Sequence, residues 1–450
     1  MIDTDVARRL AETLGERVSI ESAQLEAART DKSGHCSPGA GLAVVSARSI
    51  EDVQAVMRIA TETRTPVVVR GAGTGLAGGA IAGPGEIVLS TLEMAAVLEV
   101  SADDELAVVQ PGIINAELNA ILEPYGLWFT PDPASRAIST VGGNIATNAG
   151  GLLCAKYGVT RESVLGLKVV LADGRLVQLG HRTIKGVTGL DLTALMIGSE
   201  GTLGVIVEAT LRLRPLVAEA ITLAAEFASV SDAARAASVI GSSGTRPAVM
   251  ELLDERAMAA ITSYLEIDSR PAAQLLVQFD GPGAQSSADA AAAVVQALGG
   301  TGTISVDAAH SERLFESRRS FHPAMAAQGT VLIEDVCVPR SALAAMFDAI
   351  SSIEEKFGIT IPTVAHAGDG NLHPNFVYAG NEVPSEIWAA ADELFLAALR
   401  LGGTLTGEHG IGILKRRWLR AELGDDQFEL QREIKTVFDP HGILNPGKVF

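Results

Sequence analysis

Cysteine is nearly absent from this chain: Cys36, Cys154 and Cys337 are the only three in 450 residues, and they stand far apart. Without a C-x-x-C pair the sequence offers neither an iron–sulfur cluster motif nor a dithiol redox couple. An odd, low count suits a reducing compartment. Positive charge is also in short supply, with 35 Lys and Arg against 54 Asp and Glu and a formal net charge of −19. That balance works against nucleic acid or an anionic membrane surface as a partner. No apolar run reaches membrane-spanning length, and the opening Met1-Ile-Asp-Thr-Asp-Val carries no apolar signal core. The expectation is a soluble, cytoplasmic protein with no transmembrane segment. Internal repeats are missing as well.

What is present is ample apolar material. Hydrophobic residues make up 47% and charged residues 20%, which suits a buried interior and not disorder. The length predicts two or three domains. Ser49-Ile-Glu-Asp52 reads as a capping box, with Val53, Val56, Met57 and Ala60 recurring at helical spacing behind it. Thr65-Pro66 should end that helix, and Val67-Val68-Val69 reads as a short buried strand. Strands are expected at 87–89 and 106–109, a helix or turn at 92–96, a helix near 113–122 and a hairpin from 164–170 and 176–179. Residues 131–151, dense in Pro, Gly, Asn and Ser, read as irregular backbone wrapped around something. A segment at 198–204 leads into a strand at 205–213, and Pro215 marks a boundary. From 216 to 400 strands (near 221–227, 248–253, 275–279, 331–338 and 360–365) alternate with Ala-rich helices (near 231–240, 288–298, 340–357 and 386–399). That alternation predicts an α+β or α/β second domain, followed by a last helix at 425–438.

Two constellations carry chemistry. The first is Gly71-Ala-Gly-Thr-Gly-Leu-Ala-Gly-Gly79, which contains a G-x-G-x-x-G match directly after a strand. A dinucleotide fingerprint of the Rossmann kind must open a helix inside a βαβ unit. Here the next strand follows after Gly83-Pro84-Gly85, and no crossover helix fits. The loop reads instead as a nest of backbone N–H groups for a pyrophosphate, with Thr74 adding a hydroxyl. The plain alternative is an ordinary tight turn, which the further glycine-rich segments at 131–151 and 198–204 argue against.

The second constellation is His366-Ala-Gly-Asp-Gly-Asn-Leu-His373 with Gly407-Glu408-His409-Gly410. Three histidines and a carboxylate suit a borderline cation such as Zn²⁺, with one histidine left over for proton transfer. The histidine spacing is not the i, i+4 of a helical zinc protease motif. Gly368 and Gly370 permit a tight turn that brings the two imidazoles to one point. Core histidines satisfied by backbone carbonyls are the alternative. The expectation is that this site and the glycine loop serve one active centre.

Taken together, Val-Val-Arg70-Gly-Ala-Gly-Thr-Gly75, Pro131-Asp-Pro-Ala-Ser135, Gly142-Gly-Asn-Ile-Ala-Thr-Asn148, Gly198-Ser-Glu-Gly-Thr202, the two histidine motifs and Asn445-Pro-Gly-Lys448 resemble one flavoenzyme family. It is the FAD-linked oxidoreductase family that includes vanillyl-alcohol oxidase, in the branch of glycolate oxidase flavin subunits, D-lactate dehydrogenases and D-2-hydroxyglutarate dehydrogenases. The resemblance implies an α+β fold: a two-subdomain FAD-binding domain over 1–215, a cap domain with an antiparallel sheet flanked by helices over 216–405, and a C-terminal segment over 406–450 that returns to the FAD domain. It places Arg70, Gly71, Ala72, Gly73, Thr74 and Gly75 around the pyrophosphate. Pro131, Asp132, Ser135, Gly142, Gly143, Asn144, Thr147 and Asn148, with Glu200, Gly201, Ile206 and Asn445, would attend the rest of FAD. Some relatives tether flavin through a histidine near the glycine loop; none lies between Cys36 and Gly180, so dissociable FAD is expected.

The resemblance also implies that His366, His373 and Glu408 bind a divalent metal, Zn²⁺ foremost with Mn²⁺ or Fe²⁺ as alternatives, and that His409 is the general base. Arg318 corresponds to the arginine that binds the substrate carboxylate, with Arg319 the neighbouring alternative, and Asn375 to a polar substrate contact. D-2-hydroxyglutarate enzymes place a lysine where this chain has Ile333, and a threonine where it has His322, for which the two readings are a substrate contact and a buried structural role. The implied reaction is oxidation of a small 2-hydroxy acid, glycolate or D-lactate before D-2-hydroxyglutarate. Electrons would pass to an acceptor protein or quinone-linked partner, and a homodimer is one expected form. A flavin electron-relay subunit without substrate chemistry, and a non-redox flavin lyase or synthase, are the competing classes.

Overall fold

The computed structural model describes residues 2–217, 220–267, 273–305, 307–380 and 382–450. The chain divides into two compact units: Met1–Gly150, Gly158–Leu216 and Glu408–Phe450 in one, Gly151–Tyr157 and Val217–Gly407 in the other.

The first unit holds two sheets. In one, the strands run Val18–Ser19, Ala43–Ser46, Ile87–Ser90, Val67–Arg70 across the sheet, the last three parallel. The helix Ile50–Thr63 carries the chain between two of them; Ser49 caps it by accepting the Asp52 N–H, and Arg64 closes it in the left-handed region. Its Val53, Val56, Met57 and Ala60 pack on Val45, Val67, Ile87 and Leu89 in one apolar cluster. The adjacent parallel strands Val67–Arg70 and Ile87–Ser90 are joined by a loop with no crossover helix. The end of the chain pairs along the same sheet, where Val67 N donates to Ile443 O at 2.7 Å and Asn445 N to Val67 O at 2.8 Å.

The other sheet is antiparallel, in the order Val97–Ser101, Leu106–Val109, Val205–Arg212, Val164–Val170, Leu176–Gly180. Helix Asn115–Leu122 packs on it through Leu118 and Leu122. Residues 92–96 form a turn, not a helix. The stretch 131–151 is not wholly irregular, because Val141–Thr147 is a helix capped by Thr140. Glycine has poor helix propensity, yet Gly142 stands in its first turn because the helix start lies against Pro111: a Cβ there would come 2.5 Å from Pro111 Cβ. Close approach overrides propensity here.

The second unit is built on an antiparallel sheet in the order Thr301–Ser305, Ala220–Phe227, Ala273–Asp280, Val249–Leu253, Thr363–His366, Asn371–Tyr378, Thr330–Ile333, with Val336–Cys337 also pairing on Asn371–Tyr378. Helices Val230–Ser242, Ala284–Ala297, Leu343–Phe357 and Ser385–Arg400 fall where the sequence pattern puts them. Three further helices, Glu255–Tyr264, Ala308–Leu314 and Glu316–Ala326, escape that pattern; the last contains Pro323. The strand Asn371–Tyr378 is disguised by Pro374, which lacks the N–H of a central strand residue. The C-terminal helix begins at Arg416, earlier than expected, and is interrupted at Gly424, whose φ of 71° is non-helical.

Candidate active site

In the first unit a cavity of about 400 Å³ opens beside the glycine loop. Its wall comprises the loop residues from Gly71 to Gly75, the helix start at Gly142, Gly143 and Asn144, and the turn at Ser199, Glu200 and Gly201. Glu408 and His409 complete it. The strand Val67–Arg70 delivers the loop, and Arg70 then folds back under it, donating from Nη1 to Ala80 O at 2.7 Å. A Cβ on Gly73, which has φ +68°, would lie 2.2 Å from the Arg70 guanidinium. One on Gly71 would lie 2.4 Å from Thr140 Oγ1, so glycine is what lets loop and helix start meet. None of the N–H groups of residues 71–75 enters a turn or loop hydrogen bond among the described residues. The buried Asn144 Nδ2 also has no protein acceptor. This wall of unspent donors fits an elongated, anionic cofactor.

Glu200 organises the end of the cavity. Its backbone is left-handed, φ 50°, and its carboxylate accepts from Ile411 N at 2.8 Å and Gly412 N at 2.9 Å. Burial pushes its pKa up to about 7, against those two N–H groups and Lys415, which pull it down. The clamp fixes the turn immediately after Glu408-His409-Gly410. Asn445 ties the same region together, donating from Nδ2 to Gly79 O at 3.0 Å and Glu200 O at 2.7 Å.

In the second unit, the strands Thr363–His366 and Asn371–Tyr378 form a hairpin in which His366 pairs with Asn371 and Val364 with His373. His366, His373 and Asn375 therefore share one face. The two imidazoles meet edge to face with centroids 5.0 Å apart, and their ligand nitrogens lie within 4.8 Å of each other. Both rings are buried. The turn between them needs glycine: a Cβ on Gly370, φ +92°, would lie 1.9 Å from Val338 O, and one on Gly368 would lie 2.5 Å from Ala155 Cβ. Two buried imidazoles converging in this way are a donor pair for a borderline divalent cation.

Buried carboxylates stand behind the pair. Glu251 Oε1 is 2.6 Å from His366 Nδ1, and its Oε2 accepts from Arg318 Nε at 2.7 Å. Burial alone would raise its pKa, but His366 and Arg318 outweigh that and hold the carboxyl below its ordinary range. Asp335 lies 4.0 Å from His373 Nδ1 and accepts from Asn371 Nδ2, Thr406 Oγ1 and Gly407 N. Asn375 donates from Nδ2 to His373 O, and its buried Oδ1 has no protein partner. Arg319 points away and pairs with the exposed Glu312. His322 is exposed, which removes a buried structural role for it.

Two family descriptions match this chain: an FAD binding domain over residues 41–180 and the C-terminal domain of FAD linked oxidases over 217–449. It is 40% identical to the glycolate oxidase subunit GlcD of Bacillus subtilis, over 91% of this chain and 88% of that one. A D-lactate dehydrogenase of Archaeoglobus fulgidus is 38% identical, over 90% of each chain. The chain belongs to the FAD-linked oxidase family. Its fold also matches the solved structure of p-cresol methylhydroxylase, with a TM-score of 0.80 over 100% of this chain and 96% of that one at 17% identity. This is the vanillyl-alcohol oxidase type of FAD-binding fold with a sheet-containing cap.

Most of the residues expected to attend FAD line the cavity of this FAD-linked oxidase: Gly71, Ala72, Gly73, Thr74, Gly75, Ser135, Gly142, Gly143, Asn144, Thr147, Glu200, Gly201 and Ile206. Five do not. Arg70 braces the loop from behind, and Pro131 O accepts from Asn115 Nδ2. Asp132 faces Arg136 at 3.9 Å, and Asn445 joins two loops. Asn148 closes the helix in the left-handed region and accepts from Arg161 N. These are supports for the wall and not part of it. Sequence reasoning missed Lys32 and Thr140 in the lining, and it missed Glu251 and Asp335. Nothing adjacent in sequence points to Glu251, which lies 115 positions from His366.

Proposed function

We propose that this FAD-linked oxidase oxidises a small D-2-hydroxy acid, glycolate or D-lactate, to the 2-oxo acid, with FAD held non-covalently in the first unit and the second unit serving as the substrate cap. The observation that carries the reading is Arg318, a half-buried guanidinium held against the carboxylate that also holds His366. Bound FAD supplies the two-electron acceptor for the hydrogen on substrate C2, and a divalent cation, Zn²⁺ or else Mn²⁺ or Fe²⁺, supplies Lewis acidity at the hydroxyl.

The chain's own residues do the rest. His366, His373 and Glu408 hold the cation. Arg318 grips the substrate carboxylate with its planar fork. His409 accepts the hydroxyl proton at an imidazole nitrogen. Asn375 orients the substrate, and His322 assists from the exposed side. Ile333 pairs in register with Asn375, so an apolar residue stands where a second carboxylate would need a cation. That favours a monocarboxylate over D-2-hydroxyglutarate. Apart from His409, the cavity wall contains no histidine, cysteine or tyrosine among the described residues, which supports dissociable flavin. No helix among the described residues is long and apolar enough to cross a membrane. Electrons leave to an acceptor protein or quinone-linked partner.

The test is anaerobic mixing of the purified, flavin-loaded protein with a panel of D- and L-hydroxy acids. Bleaching of the flavin by glycolate or D-lactate, abolished by a chelator, is the expected result. Bleaching by D-2-hydroxyglutarate alone would move the substrate assignment. No bleaching by any hydroxy acid would favour an electron-relay subunit.

A further inference from the structure

The strand Val249–Leu253 runs beside Thr363–His366, and Glu251 stands directly opposite His366 in that register. Glu251 is fully buried, and its two oxygens are divided between two different side chains: Oε1 to His366 Nδ1 at 2.6 Å and Oε2 to Arg318 Nε at 2.7 Å. Each bond selects which atoms remain for a ligand. With Nδ1 engaged, Nε2 is the nitrogen His366 has to offer a metal. With Nε engaged, the terminal nitrogens of Arg318 are the ones left for a substrate carboxylate. The neighbouring histidine is held differently, since Asp335 stands 4.0 Å from His373 Nδ1 and spends its oxygens on Asn371, Thr406 and Gly407. Of these two carboxylates, Glu251 is the one in short contact with both a ligand histidine and the substrate arginine.

We propose that Glu251 is a positioning residue that sets His366 for the cation and Arg318 for the substrate carboxylate through a single side chain. Occupation of either subsite then prepares the other, because one carboxylate fixes both partners. The inference rests on the metal and carboxylate roles given above, and it concerns a residue those roles do not name.

The experiment uses metal-stripped, FAD-loaded protein and two calorimetric titrations: Zn²⁺ alone, and oxalate alone as an unreactive carboxylate probe. Glu251→Gln is expected to weaken Zn²⁺ binding by about 10–100-fold, the usual cost of losing an outer partner of a metal ligand. It should also weaken oxalate binding by roughly tenfold. Arg318→Ala should lose oxalate and weaken Zn²⁺ binding less than Glu251→Gln does, because its loss leaves the short bond from Glu251 to His366 in place. A merely structural role would lower flavin content and melting temperature without shifting the two affinities in parallel. If Glu251→Gln fails to load flavin, Glu251→Asp, which keeps the charge but withdraws it by one methylene, must show the same paired loss on a smaller scale. Unchanged affinities, or loss of only one, overturn the inference while leaving the metal reading intact. A wild-type protein that takes up no Zn²⁺ overturns both.

Discussion

In the first unit the candidate cofactor wall is largely main chain: glycines, a helix start and a tight turn, with side chains acting mainly as braces behind it. In the second unit the candidate chemistry belongs to side chains, with His366, His373, Arg318 and Asn375 set on or against one sheet and backed by buried carboxylates. The two strategies suit their tasks. Many backbone donors can spread over a long ligand, whereas a metal or a substrate carboxylate needs a few side chains fixed at definite angles. The difference also predicts which kinds of substitution each unit tolerates. A methyl group should ruin the first, and loss of one polar atom should ruin the second.

The largest effect expected is on chemistry itself. His409→Ala should retain FAD and slow anaerobic bleaching by about 10²–10⁴-fold, read by stopped-flow absorbance; an unchanged rate would remove His409 from proton transfer. Next comes the separation of the two units. Gly73→Ala, where a Cβ would strike the Arg70 guanidinium and φ is +68°, should cut flavin content at least tenfold yet leave Zn²⁺ uptake near normal. His373→Ala should do the reverse, losing metal while the protein stays yellow. If both variants lose both ligands, the contrast between a backbone site and a side-chain site fails. Ile333→Lys should raise the preference for D-2-hydroxyglutarate over D-lactate by about tenfold in kcat/KM, through a new partner for the distal carboxylate.

The smallest effect is on stability. Asp254 caps the helix Glu255–Tyr264 from a fully buried position, accepting from Ala257 N at 2.7 Å and Thr363 N at 3.0 Å. Burial pushes its pKa from 3.8 up to about 8, more than those N–H groups can pull down, with Glu255 and Glu354 adding repulsion. The unfolded chain releases this proton near pH 4 and the folded chain near pH 8, so the folded state binds more protons in between. Its contribution is therefore complete below about pH 4 and is lost as pH rises toward 8, by a few kcal/mol at most. Denaturant melts across that range should show a shallower decline in Asp254→Asn than in the wild type.

The sequence revealed structure where local chemistry and tertiary demand agree. Ser49 and the Val53–Met57 spacing announce their helix, and the absence of room for a crossover after Gly79 correctly sets aside the Rossmann reading. The two-histidine motif shows its turn through Gly368 and Gly370. The pattern was hidden wherever distant packing overrules propensity. Gly142 stands at a helix start because Pro111 leaves no room for a side chain, and Pro374 sits in a strand held from both sides. Arg70 appears as a ligand contact in the motif, but its guanidinium turns inward to Ala80 O. Glu251 illustrates the limit most sharply, since its partners His366 and Arg318 are brought to it only by the sheet and by packing.

The pairing of Val67 with Leu444 has a bearing on biosynthesis. The glycine loop at 71–79 leaves the ribosome early, but the amide that fastens Gly79 to Glu200 belongs to Asn445, 366 positions later than Gly79. Until residue 445 has been made, that loop has lost none of its freedom to this late tether, and closure over so long a sequence separation waits on that step. A ribosome stalled ahead of residue 445 would therefore carry this loop unfastened.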